Sequence, residues 1–207
     1  MKATLTKITM TLALTLLALP AISQASAITL ENNTRYPAQF VIKQGDIIIA
    51  KIPTVPAGAK LQVPTDETFV LSASTNIDEN TYVTAPIAMD ISRASDYSTR
   101  LVQNKTQGTY EFVLEQEPAS SLDTLRLRNT MRTPVRISFA SNGRFTQSLV
   151  MEPGTKTSLS IEKSFKIFAV INGVTTDVVT THDAYAKVTA VSDDSSKYPE
   201  MYDLIIN

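Results

Sequence analysis

Apolar and polar residues alternate with a period of two in several short stretches of this chain. Residues 38–43 read Ala-Gln-Phe-Val-Ile-Lys, and residues 135–140 read Val-Arg-Ile-Ser-Phe-Ala. Successive side chains of a β-strand point to opposite faces, so this period is typical of strands with one buried face. The buried set predicted for these two strands is Ala38, Phe40, Ile42, Val135, Ile137 and Phe139.

Glycine, asparagine and proline bound the alternating stretches. Gly45-Asp46 follows the first stretch, Asn142-Gly143 follows the second, and Asn172-Gly173 ends a third run. Asn and Gly tolerate positive φ, which two-residue hairpin turns require. Counting the runs between turn signals predicts about six or seven short strands in each half of the chain. No window has helical periodicity over three turns, and residues 92–107 are predicted to form an ordered loop or one helical turn.

The two halves repeat one another at an offset of 97 positions. The opening of the first half, Ile28 to Pro37, shares spaced Leu, Asn, Arg and Pro residues with Leu125 to Pro134 of the second. The matched pairs are Leu30 and Leu127, Asn32 and Asn129, Arg35 and Arg132, and Pro37 and Pro134. A one-residue gap extends the match, and Thr109–Glu115 aligns with Met201–Asn207 near the two ends. Because these residues recur, we expect them to specify the fold rather than an activity.

The pattern predicts an all-β protein with two tandem immunoglobulin-like antiparallel β-sandwich domains that arose by internal duplication. The predicted domains are residues 28–115 and 124–207, joined by a linker at 116–123. The last strand of each is expected to point Tyr110, Phe112, Leu114, Tyr202, Leu204 and Ile206 inward. The Asn-Asn-Thr opening and the Pro-x-Gly turn are similar to those of many exported bacterial immunoglobulin-like domains, including pilus chaperones.

The first 27 residues have the features of a secretory signal peptide. Lys2 and Lys7 precede an apolar segment from Met10 to Leu19, and Ala25-Ser26-Ala27 forms a small-residue cleavage site. The apolar segment is too short for a bilayer span, which needs roughly 20 residues. The sequence therefore predicts a secreted or periplasmic bacterial protein without an integral membrane segment after signal removal.

The charge balance argues against nucleic-acid binding. Beyond residue 27 the chain has 17 basic and 20 acidic residues, and these do not form a basic cluster. Cysteine is absent, so each unit must be stabilised by its own core.

The chain offers few residues for catalysis or for a cofactor. His182 is the single histidine, and we expect it at a strand edge or in a loop. Glu111 and Asp203 could form a glycosidase pair, but the alternation places them on solvent faces of strands. Acidic pairs such as Asp78-Glu79 lack the spacing of a calcium loop. We therefore expect a non-enzymatic protein with no metal site and no cofactor.

The candidate interaction residues lie where the two halves differ. Residues 47–52 are apolar on both faces, which indicates a strand buried on both sides, packing against the other domain, or an exposed edge. Counting from Ser95-Asp96 to Tyr110 gives 15 positions, against 10 from Ser192-Asp193 to Tyr202, so the first half has a longer predicted loop. The predicted interaction surface consists of Ile47, Ile48, Ile49, Tyr97, Arg100, Asn104, Lys105 and the outward-facing Phe168.

These observations favour a binding or structural protein that contacts another protein or a cell-surface polymer, in adhesion, extracellular matrix or envelope assembly. Self-association through an edge strand is a further expectation. The alternative is a carbohydrate-binding module that uses tyrosines and the predicted loop of residues 95–108.

Overall fold

The structure is a computed structural model, and it describes residues 26–65, 68–90, 93–141, 143–193 and 201–207. The predicted signal peptide lies outside the described residues except at Ser26 and Ala27. The described residues form strands and connecting loops with no helix, as the period of two predicts. The all-β prediction is therefore confirmed.

Eighteen strands follow one another along the described chain. The first nine are β1 (Ala27–Asn32), β2 (Ala38–Gln44), β3 (Ile47–Val55), β4 (Lys60–Pro64), β5 (Phe69–Ile77), β6 (Asn80–Val83), β7 (Ile87–Met89), β8 (Asp96–Asn104) and β9 (Thr109–Glu117). The second nine are β10 (Thr124–Asn129), β11 (Val135–Ser141), β12 (Arg144–Met151), β13 (Lys156–Ser160), β14 (Phe165–Ile171), β15 (Val174–Thr175), β16 (Val179–Thr181), β17 (Lys187–Asp193) and β18 (Met201–Ile206).

These strands form four sheets, which pair into two sandwich-like units. We name the first unit the outer sandwich; its sheets have the strand orders β4-β1-β17-β18 and β3-β2-β14-β15, with β16 also on β14. We name the second unit the inserted sandwich; its sheets have the orders β13-β10-β8-β9 and β12-β11-β5-β6, with β7 also on β5. Each unit has one parallel pair, β1 with β17 and β10 with β8, and these occupy corresponding places.

The strand pairing does not follow the domain boundary predicted from the sequence. The inserted sandwich uses the continuous segment from β5 to β13, which crosses the predicted linker at residues 116–123. The outer sandwich combines β1–β4 from the first half with β14–β18 from the second. The chain therefore nests one sandwich inside the other, where the repeat had suggested two sandwiches in tandem.

Charges on the parallel pairs favour this nested pairing. In the outer sandwich Glu31 of β1 forms an ion pair with Lys187 of β17, with 2.5 Å between Oε2 and Nζ. In the inserted sandwich Arg126 of β10 lies directly opposite Asp96 of β8. The register makes Lys187 and Asp96 equivalent, because each is opposite the same position of its parallel partner. Pairing within each half would place Glu31 beside Asp96 and Arg126 beside Lys187, and like charges on neighbouring strands are destabilising.

Buried apolar residues from both sandwiches form one contiguous core cluster. The residues predicted to face inward on β2 and β11 are at most 1% exposed, which confirms the alternation of these strands. Gly173 follows the β14 strand at φ 79° and Asn172 at φ 50°, as the predicted hairpin turn requires.

The recurring asparagines stabilise the loops that follow β1 and β10. Asn129 is fully buried, and its Nδ2 donates to the carbonyl oxygens of Thr133 at 2.9 Å and Met151 at 3.0 Å. Its Oδ1 accepts from the backbone N–H of Met131 at 2.8 Å. Asn32 makes the equivalent bonds in the outer sandwich. The repeated Asn therefore holds a loop shape in each unit, as its recurrence suggested.

The alignment of Thr109–Glu115 with Met201–Asn207 that the repeat suggested is two residues out of register with the structure. Asp96 pairs with Glu117 as Lys187 pairs with Asn207, so Phe112 is the structural counterpart of Tyr202. Phe112 and Tyr202 are both 4% exposed, whereas Tyr110 is 62% exposed. Tyr110 lies on the same face of β9 as Phe112 but two residues nearer the β8–β9 turn, where it is exposed, so the prediction that it faces the core is wrong. Ile206 is 37% exposed at the end of β18, so its predicted burial is also wrong.

Candidate functional site

The predicted recognition loop of residues 95–108 is instead most of a long hairpin. β8 is the inner strand of its sheet, and Tyr97 on it is 1% exposed. Burial raises the pKa of the Tyr97 hydroxyl, and the charge of Asp90 adds to the rise. The loop prediction failed because Tyr97, Ser98 and Thr99 are all buried, which hides the alternation of the strand.

The other residues predicted in that loop have local structural contacts. Arg100 forms a two-pronged ion pair with Glu115 across the hairpin, with Nε and Nη2 at 2.7 and 3.0 Å from its carboxylate oxygens. The Asn104 side chain accepts hydrogen bonds from two backbone N–H groups of the β8–β9 turn. Lys105 lies exposed in the same turn. The structure therefore does not bring these residues together as one recognition surface.

Strand β3 carries the second group of predicted residues. Ile47 and Ile49 are at most 4% exposed and lie in the core. Ile48 is half-buried, and its backbone N–H donates to the Gln147 side chain of the inserted sandwich at 3.1 Å. Phe168 is half-buried on β14, opposite Val41 of β2 and away from this contact. The apolar stretch therefore combines core burial with contact between the two sandwiches.

A cleft of about 360 Å³ opens beside the second half of β3. We name it the β3–β4 cleft. It is lined by residues 49–52 of β3, residues 61–64 of β4, and Ser141, Arg144, Phe145 and Thr146 of the β11–β12 hairpin. Four consecutive residues of a strand point alternately to both faces, so a cleft that touches all four borders the edge of the strand. β3 and β4 are both last in their sheets, so one edge of each pairs with none of the described strands.

The corresponding place in the inserted sandwich is closed by the β2–β3 turn. Asp46 N–H donates to the Ser160 carbonyl at 3.0 Å, and Ser160 N–H donates to the Asp46 carboxylate at 2.8 Å. Gly45 at φ +58° makes the approach possible, since a Cβ there would lie 2.1 Å from the Ser160 oxygen.

The sequence explains why the β3–β4 cleft lacks this closure. By the repeat, Gly143 stands where Asp46 is, and Pro64 stands where Ser160 is. Glycine has no carboxylate and proline has no N–H, so the pair of hydrogen bonds cannot form. Two differences between the copies therefore leave the outer sandwich open at the place where the inserted one is sealed.

The cleft combines apolar surface with positive charge. Phe145 is 62% exposed and Leu61 is 39% exposed, while the half-buried Ile52 contributes to the wall. Lys51 and Arg144 are the charged residues among those that the structure describes in its lining. Such a surface can hold an extended chain through backbone hydrogen bonds, apolar contacts and attraction for an acidic group.

Sequence reasoning identified β3 but missed Leu61, Arg144 and Phe145. An aromatic residue beside the Asn-Gly turn was the available signal, since such a position is normally exposed. The pattern could not reveal that this hairpin of one half lines the same cleft as β4 of the other.

A second depression, of about 400 Å³, contains Ser164, His182 and Asp123. These residue types could form a nucleophilic triad, but the Ser164 hydroxyl donates to Glu162 at 3.1 Å. His182 is exposed and forms no hydrogen bond with Ser164 or Asp123. Lys166 and then Ser164 hold the pKa of Glu162 below its ordinary value. The arrangement of nucleophile, base and orienting acid is therefore not formed at this depression.

Within the described ranges, no group of three or more His, Cys, Asp or Glu side chains could hold a metal ion. The same residues include no helix long and apolar enough to cross a membrane. No model of a known protein family matches the chain, and searches of curated proteins and of solved structures find no match.

Proposed function

We propose that this chain is an exported, non-enzymatic binding protein that holds an extended segment of a partner protein in the β3–β4 cleft. The observation that carries the proposal is the pair of strand edges, β3 and β4, that border one cleft without a partner strand. An added strand gains affinity from backbone hydrogen bonds and selectivity from pockets for alternate side chains. Adhesion, matrix formation and envelope assembly all use contacts of this kind.

The lining of the cleft defines the chemistry of the segment. Phe145, Leu61 and Ile52 suit apolar side chains at alternate positions of an extended peptide. Lys51 and Arg144 suit one acidic side chain among them, because opposite charges across an interface attract and these two are the charged residues of the described lining. The segment is therefore expected to alternate apolar and polar residues and to include Asp or Glu.

Two finer proposals accompany this function. Both sandwiches are immunoglobulin-like, and they descend from one duplicated unit, which the corresponding strands and the recurring Asn32 and Asn129 support. The carbohydrate alternative finds no support at Tyr97, whose side chain is buried.

Peptide binding tests the proposal directly. The probe is a synthetic peptide of about eight residues in which Val alternates with Thr and one Glu, titrated by fluorescence anisotropy. A matched peptide with N-methyl groups along one edge has the same side chains but cannot form backbone hydrogen bonds there. Because a strand has two edges, two such peptides are made, one methylated along each edge. We expect the unmethylated peptide to bind and one of the two methylated peptides to lose binding.

Two exposed aromatic residues provide a control within the protein. Phe145 and Tyr110 are both 62% exposed, but only Phe145 lines the cleft. Covering Phe145 on binding would contribute about 1 to 2 kcal/mol, so Phe145→Ala should weaken binding about 5- to 30-fold. Tyr110→Ala should leave binding unchanged. Equal effects of the two substitutions, or equal binding of all peptides, would contradict strand addition at this cleft.

A further inference from the structure

The outer face of the sheet β13-β10-β8-β9 contains a pair of like charges that forms no ion pair with a described acid. Arg128 of β10 lies directly opposite Lys156 of β13 in the antiparallel register. Such cross-strand neighbours have Cβ atoms about 5 Å apart, and like charges at this distance are destabilising. No carboxylate of the described chain forms an ion pair with either residue.

The outer sandwich shows what fits at the corresponding place. There Glu31 replaces Arg128, and it lies opposite Lys60, the counterpart of Lys156. Lys60 and Lys187 hold the Glu31 carboxylate at 3.2 and 2.5 Å. Hydrogen bonding with Lys187, and secondarily with Lys60, lowers the pKa of Glu31 although desolvation opposes it. In the inserted sandwich Lys156 keeps the place of Lys60, Arg128 replaces the carboxylate, and Asp96 replaces Lys187. A carboxylate over these two strands therefore fits the fold, and in the inserted sandwich the cations Arg128 and Lys156 lie there without forming an ion pair with a described acid.

A depression of about 440 Å³ surrounds the like-charge pair. Arg128 and Lys156 line it together with Ser158, and the acids Glu117 and Asp96 line it as well. Asp96 accepts from Ser120, which in turn accepts from Arg126 at 2.6 Å, so Arg126 is engaged within the protein. The depression thus combines acceptor oxygens suited to hydroxyl donors with two cations that form no ion pair with a described acid.

These features select among anions. A nucleic acid or another polyanion would bring further negative charge against Glu117 and Asp96, which is unfavourable. A sugar acid carries one carboxylate and several hydroxyl groups on a ring that fits a shallow polar depression. We infer that this face binds a uronic acid unit of an acidic polysaccharide, with its carboxylate between Arg128 and Lys156 and its hydroxyls donating toward Glu117. This site is separate from the β3–β4 cleft, so it does not depend on the function proposed there.

Titration of the intact protein with a short uronic acid oligosaccharide tests the inference. Calorimetry or NMR chemical shifts would be compared for tetragalacturonate, for a neutral oligosaccharide of the same length, and for inorganic sulfate. We expect measurable binding of the uronate alone. Sulfate that binds as tightly as the uronate would overturn the sugar-acid assignment, and binding of the neutral sugar would overturn the role of charge. No binding of any of the three would overturn the site itself.

Three variants locate the binding. Arg128→Glu places a carboxylate opposite Lys156, as Glu31 lies opposite Lys60, so we expect uronate binding to disappear. Lys156→Ala should weaken binding at least fivefold, and Lys60→Ala, the matched change on the outer sandwich, should not. Retained binding in Arg128→Glu and Lys156→Ala, or equal loss in Lys60→Ala, would refute the site even if one variant folds poorly.

Discussion

Cutting the chain between β9 and β10 tests the nested topology. A protease recognition sequence inserted after Leu122, which is 89% exposed, would allow the folded protein to be cleaved there. Each sandwich contains strands from both sides of this cut. We therefore expect the two fragments to remain associated after cleavage, whereas two tandem sandwiches would separate.

The strand pairs that join the two fragments indicate how strongly the fragments associate. Two strand pairs of seven registered positions each, β2–β14 and β5–β11, join the fragments. Two parallel pairs of four positions each join them as well. Eight large core side chains on the longer pairs are at most 1% exposed: Phe40, Ile42, Phe69, Leu71, Ile137, Phe139, Ile167 and Ile171. At about 1.5 to 3 kcal/mol each, they contribute about 12 to 24 kcal/mol of transfer free energy before conformational entropy is subtracted.

The expected affinity follows from the stability of an ordinary domain. An unfolding free energy of about 8 kcal/mol corresponds to an unfolding constant of about 10⁻⁶. Multiplying by an effective concentration of about 1 mM for a short linker gives a fragment Kd of about 1 nM. At micromolar concentration the cleaved protein should elute from a sizing column as one species and separate only in denaturant. Two fragments eluting apart in native buffer would refute the nested pairing.

Three further predictions concern single residues. Asn129→Ala should lower the free energy of unfolding by about 2 to 4 kcal/mol, because buried carbonyls lose their donor, and a loss under about 1 kcal/mol in urea denaturation would contradict this. Gly45→Ala should destabilise the protein at least twice as much as Gly58→Ala, since both have positive φ but only Gly45 lacks space for a Cβ; equal urea midpoints would count against the close contact. The lowered pKa of Glu31 adds stability that is complete above its ordinary value of 4.5 and is lost as the pH falls through the folded-state value. The melting temperature of the wild type should therefore fall more than that of Glu31→Gln between about pH 5 and pH 3, and parallel curves would argue against the ion pair.

Local patterns were sufficient to predict the strands and many of their buried residues. The alternation in residues 38–43 and 135–140 reports which face of a strand meets a core, and this holds whichever partner strand lies beside it. The Asn172-Gly173 turn depends only on its own backbone angles. The recurring Asn129 and Asn32 were recognisable because both copies need the same loop shape. Strand β8 was missed because its buried polar residues removed the alternation.

The candidate sites depend on contacts between distant parts of the chain. The β3–β4 cleft is formed only because Phe145 of the second half and Pro64 of the first line the same space. The Arg128–Lys156 pair was visible as two cations, but the antiparallel register decides that they face each other. No local pattern along the chain reports either contact.

The alternation, the turn residues and the repeat are enough to establish that the chain is built of strands with one buried face, closed by tight turns, and repeated once. Which half pairs with which is visible only in the folded protein. The physical reason lies in the repeat, because similar halves present nearly the same apolar faces, so hydrophobic pattern fits either partner. Charges such as Glu31 with Lys187 and Arg126 with Asp96 distinguish the pairings, and they act only after the strands meet.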